Sequence, residues 1–169
     1  MGQIQPNVIT LNETGLRKRQ KLTLSNFKAF NRNRSNGKIM GGVATAVNDK
    51  EKDFVVQTKE GIENDEYIIT RHSNFATPIN IVNVYCEQEP RETKTSIENR
   101  WIRILEEIIK IEKRFEACIL LGDLNKHIGN DEYHAKISYG GELVRALLSG
   151  GNYICLNNQP GAVGGPYTR

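Results

Sequence analysis

The hydrophobic and polar positions of this chain fall into short β-like runs, followed by one long helical stretch and then a second, shorter alternation. Asn7–Leu11 is a short apolar run behind Pro6, and Ile39–Val47 is a strand pattern containing glycine. Phe54–Gln57 and Tyr67–Thr70 are β-rich runs bounded by polar turn residues. Pro78 opens Ile79–Tyr85, in which Ile79, Ile81, Asn83 and Tyr85 share one face and Asn80, Val82 and Val84 the other; this pattern predicts a strand buried on both sides. Ile97, Trp101, Ile104, Leu105, Ile108, Ile111 and Phe115 recur at helical spacing, and Thr95 with Glu98 matches a capping box. A helix is predicted over about 96–116, with Trp101 and the isoleucines in the core. Ala117–Leu121 then reads as a buried strand ending at Gly122-Asp123-Leu124-Asn125. A second helix is predicted near Gly141–Leu148 and a further strand over Tyr153–Asn157.

Strands followed by a helix and another strand, with both hairpin and crossover spacings, predict a mixed α/β sandwich. At 169 residues the chain fits one domain, 1–169. No apolar run approaches the length of a membrane span, and the first residues lack a charged segment followed by an apolar one. The expectation is an intracellular protein, nuclear or cytoplasmic, neither secreted nor in a membrane. Cys86, Cys118 and Cys155 are too scattered for a disulfide framework or a zinc site; Cys118 and Cys155 read as small buried hydrophobes.

Net charge is +3, but its distribution is uneven. Residues 1–50 hold nine Lys/Arg against two Asp/Glu, and the segment from Arg17 to Lys38 contains no acid. Its bases, among them Arg17, Lys18, Arg19, Lys21, Arg32 and Arg34, interleave with Phe27 and Phe30 and suit a phosphate backbone. A solvated, partly mobile surface segment explains the same composition.

Three strand ends carry polar chemistry: Glu13 after Leu11-Asn12, Tyr85 after Asn83-Val84, and Asp123 with Asn125 after Leu121-Gly122. Carboxylates and amides together make a hard-oxygen site. Magnesium takes one or two carboxylates and keeps several waters, so Glu13 beside Asp123 is sufficient for it. His72, His127 and His134 lie in polar segments and read as solvated.

Leu11-Asn12-Glu13-Thr14, Gly41-Gly42-Val43, Asn83-Val84-Tyr85 and Ile119–Asn125 resemble, in order, the motifs of the endonuclease/exonuclease/phosphatase superfamily. Gly122–Asp131, followed by Tyr139–Glu142 and Asn157-Asn158, is most similar to the endonuclease domains of non-LTR retrotransposons of the RTE or BovB kind. The resemblance implies a four-layer sandwich of two mixed β-sheets flanked by helices, and a DNA-nicking phosphodiesterase that works with Mg2+ or Mn2+. It implies Glu13 as metal ligand, Asp123 as the residue that orients or deprotonates water, and Tyr85 as a hydrogen-bond donor to phosphate. Asn125 and Thr168 would bind substrate, DNA would be the partner, and a reverse transcriptase domain would follow in a longer product. The family's upstream asparagine strand and terminal Asp-His pair have no counterpart within 1–169, so the domain is expected to be incomplete at both ends. Two other readings remain open: a non-catalytic nucleic-acid-binding remnant, and the same chemistry on a phosphoinositide or phospholipid headgroup.

Overall fold

The computed structural model describes residues 5–17, 19–33, 41–57, 67–86, 93–126, 137–150, 153–154 and 156. The chain divides into two compact units, one formed by 1–87 with 102–124 and the other by 88–101 with 125–169.

The first unit contains two β-sheets. β1 (Val8–Asn12), β2 (Phe27–Arg32) and β3 (Val43–Asn48) form an antiparallel sheet in the order β1-β3-β2. β4 (Phe54–Val56), β5 (Tyr67–His72), β6 (Ile79–Tyr85) and β7 (Ala117–Asp123) form the second, in sequence order. β4, β5 and β6 pair antiparallel, whereas β6 and β7 pair in parallel. A parallel pair needs a crossover connection, and α1 (Lys94–Glu112) supplies it. The fold is therefore α+β, with one antiparallel and one mixed sheet among the described residues, in place of the expected two mixed sheets.

The two sheets pack face to face. β3 meets β5 and β6, while β1 meets β6 and β7. Every position of β3 is buried, which explains its small side chains: Ala44, Thr45 and Ala46 let both faces of a central strand be covered. Val43, Ile68 and Tyr85 pack together, joined by Val56. A buried polar side chain crosses this apolar layer. Asn83 on β6 donates from Nδ2 to the Ala44 carbonyl on β3 at 2.9 Å, so it links the sheets while satisfying a buried amide hydrogen.

Several expectations need correction. α1 starts two residues earlier than the spacing predicts because Thr93, not Thr95, caps it: the Ser96 amide donates to Thr93 Oγ1 at 3.2 Å, and the Ile97 amide to the Thr93 carbonyl. The helix also ends at Glu112, short of the predicted 116, and Phe115, which continues the helical spacing, is 91% exposed. β7 exists where expected but is half-exposed, because no described strand covers its outer edge; Ile119 and Leu121 both face solvent in part. Tyr153, Ile154 and Leu156 are not in a strand, and Cys155 and Asn157 lie outside the described residues. β2 has no counterpart among the predicted elements: the segment that reads as loose and basic contains an ordered strand.

In the second unit, α2 (Tyr139–Gly150) is capped by Ser138, whose Oγ accepts from the Gly141 amide at 3.1 Å. The Tyr139 hydroxyl donates to Glu98 on the first part of α1, and Lys94 lies over the Tyr139 ring. Helix to helix, this clasp is polar at its surface, while Ile97, Trp101 and Val144 are buried.

Candidate active site

Three strand ends converge in the first unit, and each is held by the backbone of its neighbour. β6 and β7 run in parallel register, which pairs Tyr85 with Asp123. The Cys86 amide then donates to the Asp123 carbonyl at 2.9 Å and extends the ladder one step beyond the strands. This register requires glycine at position 122. Gly122 has φ of +134°, and a Cβ there would stand 1.9 Å from the Val84 carbonyl oxygen.

β1 arrives from the other sheet. Asn12 donates from its side-chain Nδ2 to the Val84 carbonyl at 2.8 Å, which fixes the end of β1 against the end of β6. The chain then turns sharply at Glu13, a non-glycine residue with φ of +52°. Left-handed backbone at glutamate is unfavourable, by about 1–3 kcal/mol, and it persists only where the surroundings impose it. Here they do. The Thr14 and Gly15 amides donate to the carbonyls of Gly42 and Gly41, so both sides of the turn are anchored. Gly42 leaves the room for this, since a Cβ at that position would meet Thr14 Oγ1 at 2.8 Å.

The outcome is a direct contact between two of the residues singled out from sequence. The Tyr85 hydroxyl donates to Glu13 Oε1 at 2.7 Å. Tyr85 is almost entirely buried, while Glu13 is exposed, so a rigid phenol presents its proton to a carboxylate at the surface. Asp123 is half-buried on the adjacent strand end. Asn125, two residues further on, is half-buried and left-handed, with φ of +48°, and it opens the second compact unit. Thr168 lies outside the described residues, as do Lys18, Arg34, His127 and His134.

Among the described residues no group of three or more His, Cys, Asp or Glu side chains is placed to cage a metal. The Glu13 carboxylate, exposed and bonded by a phenol, and the half-buried Asp123 carboxylate are hard-oxygen donors of the kind that magnesium takes while keeping much of its water.

The described part of the basic segment lies against β2, the edge strand of its sheet. Arg17, Arg19 and Lys21 are exposed on a loop directly after Glu13, and Lys28 on β2 is exposed as well. Lys28 Nζ lies 5.9 Å from the centre of the Phe54 ring, and the Arg32 guanidinium 6.0 Å from that of Tyr67. These two cations are partly committed to aromatic faces.

His72 does not behave as predicted. It is buried on β5, its Nε2 lies 3.1 Å from Thr70 Oγ1, and its ring stacks on Phe54. Burial pushes its pKa down. It also pairs with Ile79, at the opposite end of β6 from Tyr85. Six residues of strand separate the two, a distance of about 20 Å. Cys118 is half-buried, and burial pushes its thiol up to about 11, which disfavours the nucleophilic thiolate.

Sequence reasoning missed Asn12 as a positioning group, and it missed Asn31 and Asn33, whose side chains bind the basic loop. The alternation Asn31-Arg32-Asn33 carried the only signal, two amides on one face of a strand.

Comparison of the sequence with protein-family models gives no match, and comparison with curated proteins gives none either. Among the described residues no helix is long and apolar enough to cross a membrane.

Proposed function

We propose that this chain is a phosphodiesterase domain of the endonuclease/exonuclease/phosphatase type, built as a four-layer sandwich, that nicks DNA with the help of a divalent cation. The observation that carries the reading is the hydrogen bond from Tyr85 to Glu13, 72 residues apart in sequence, beside the register pair Tyr85 and Asp123. Three motifs that are ordered along the chain in the resemblance thus meet at one end of the packed sheets.

Phosphodiester hydrolysis needs an aligned water, a path for its proton and neutralisation of charge on the phosphoryl oxygens. Glu13 and Asp123 would hold the magnesium or manganese ion, which when bound supplies Lewis-acid polarisation of a phosphoryl oxygen. The Asp123 carboxylate orients the attacking water and accepts its proton. Tyr85 fixes one oxygen of Glu13 through its hydroxyl, which leaves the other oxygen for the cation, and the same O–H can turn to a phosphate oxygen. Arg17, Arg19 and Lys21 supply attraction for the DNA backbone. Asn125 and Thr168 are the further substrate-binding groups of the proposal, and a reverse transcriptase is the partner it implies in a longer product.

The test is conversion of supercoiled plasmid to open circles by the purified chain, in magnesium or in EDTA, with Glu13→Ala and Asp123→Ala alongside. Nicking that requires the cation and both carboxylates supports the reading; nicking that survives both substitutions sinks it. A second reading, DNA binding without cleavage, is favoured by the position of His72. It is the one histidine among the described residues, and it sits at the wrong end of the sheet to assist a leaving group at Tyr85. Salt-sensitive DNA binding without nicking in any divalent cation would select that reading.

A further inference from the structure

The basic loop after Glu13 has no regular secondary structure, yet its backbone is bound at several points by two side chains from one edge strand. Asn31 and Asn33 stand two residues apart at the end of β2, so their amides project to the same side. Asn33 Nδ2 donates to the Arg17 carbonyl at 2.6 Å and to the Gln20 carbonyl at 2.8 Å. Asn31 Nδ2 donates to the same Gln20 carbonyl at 3.1 Å and to Asn33 Oδ1 at 2.6 Å, while its Oδ1 accepts from the Leu22 amide at 3.1 Å. Within the loop, the Gln20 amide donates to the Arg17 carbonyl and Gln20 Oε1 accepts from the Arg17 amide. The two amides thus do for residues 17–22 what a neighbouring strand does for a sheet edge.

The arrangement has a consequence for charge. The Arg17 and Gln20 carbonyls and the Leu22 amide turn to these side-chain amides, while the side chains of Arg17, Arg19 and Lys21 are exposed. Three cations are presented from a braced backbone in place of a mobile tail. Preorganised contacts lose less conformational freedom on binding than the same groups on a free segment. A composition-only reading of the segment cannot distinguish these cases, because the bases are identical in both.

We infer that Asn31 and Asn33 are positioning residues that set Arg17, Arg19 and Lys21 in register for a DNA phosphate backbone. The inference rests on the reading of the chain as a DNA-acting domain. Neither asparagine touches the nucleic acid in this scheme; each acts through the loop it braces.

The experiment measures binding of a fluorescent DNA duplex by the full chain in EDTA, across a salt series. Three proteins are compared: the native chain, Arg17→Ala/Arg19→Ala/Lys21→Ala, and Asn31→Leu/Asn33→Leu, which removes the amides at similar volume without changing charge. Loss of three phosphate contacts in the charge variant should flatten the plot of log affinity against log salt by about 2.7. The leucine variant is expected to weaken binding about tenfold and to flatten the slope by about 1 or more, although every cation is still present. Trypsin should also cut it faster within residues 17–21. If the charge variant loses affinity and slope while the leucine variant binds as the native chain does, the positioning role is overturned and the DNA reading stands. If the charge variant also binds unchanged, the loop is not a DNA surface and both fall. Circular dichroism melting checks folding; should the double leucine variant fail to fold, Asn33→Leu alone, which keeps the Leu22 to Asn31 bond, gives the same readout with the same two outcomes.

Discussion

Asn12 donates its side-chain amide to the Val84 carbonyl at 2.8 Å, and so joins the last residue of β1 to the residue before Tyr85. Glu13 and Tyr85 are therefore held together twice, once by their own hydrogen bond and once by the residues preceding each. Replacing Asn12 with alanine removes the second tie, one partly buried hydrogen bond, at a cost of about 1 kcal/mol. Backbone pairing of Asn12 with Val43 survives, so the fold should persist. The expected result is a lower melting temperature and, on the proposed function, nicking reduced by about tenfold, since a small displacement of an aligned group is costly. Stability lost with nicking untouched would confine Asn12 to a structural role.

Tyr85 is a different case, because its ring belongs to the core and its hydroxyl to the site. Phenylalanine at position 85 keeps the packing and should cost about 1 kcal/mol of stability. The Glu13 carboxylate then loses its orienting donor. Nicking by Tyr85→Phe should fall about tenfold to a hundredfold, with half-saturation shifted to higher magnesium. A magnesium titration of the initial nicking rate measures both, and an unchanged titration would remove Tyr85 from the mechanism.

Position 122 tests the register on which Asp123 depends. A methyl at Gly122 meets the Val84 carbonyl oxygen at 1.9 Å, and the φ of +134° adds strain of its own. Gly122→Ala should destabilise the chain by about 3 kcal/mol, or else move the end of β7 off β6. Gly150, at the end of α2, offers open space to an added Cβ, with nothing within 4 Å of it, and serves as the contrast. Urea unfolding of Gly122→Ala and Gly150→Ala should separate them clearly, and equal midpoints would show that β7 accommodates the methyl.

At the other end of the second sheet, Glu116 gathers four donor groups from three side chains. Arg71 contributes Nε and Nη2, Asn80 its Nδ2 at 2.9 Å and Arg114 its Nε at 3.1 Å. The Arg71 hydrogen bond above all, against the opposing effect of burial, holds the Glu116 carboxyl at about 2, below an ordinary 4.5. A carboxyl depressed on folding stabilises the protein above its unfolded pKa, and that contribution disappears as pH falls through the folded value. The native chain should therefore exceed Glu116→Gln in melting temperature at neutral pH, with the gap closing between 4.5 and about 2. A gap that stays constant over this interval would rule out the ionised carboxylate as its source.

The strand ends and α1 are legible in the sequence because their signals are local: alternation in Ile79–Tyr85, helical spacing from Ile97 to Ile111, and glycine before Asp123. β2 is not, because an edge strand with Lys28 between its apolar positions and Asn31-Arg32 at its end looks like any charged surface segment. His72 misleads for a related reason. Its neighbours Arg71 and Ser73 are polar, but alternation turns the imidazole inward onto Phe54. The order of Glu13, Tyr85 and Asp123 points to a common site, whereas the contact of Glu13 with Tyr85 is supported by Asn12 and by the bonds to Gly41 and Gly42, long-range ties that the motifs themselves do not spell out.

Phe115 shows the limit of helical periodicity most directly. It continues the spacing of α1, yet the helix has already ended, and the residue has φ of +56° in the turn that stops it. The Phe115 amide donates to the Glu112 carbonyl and the Glu116 amide to the Ile111 carbonyl, the bonding pattern of a Schellman cap with Phe115 in the left-handed position. Glycine is favoured there, and a side chain that is 91% exposed gains nothing from burial. Phe115→Gly relieves the backbone strain but adds freedom to the unfolded chain, and the balance should stabilise the protein by about 0.5–1 kcal/mol. Thermal or urea unfolding decides the sign. A gain in stability means that the aromatic ring is carried at the expense of the fold, while a loss of similar size means that the ring makes contacts in solution that offset its strain.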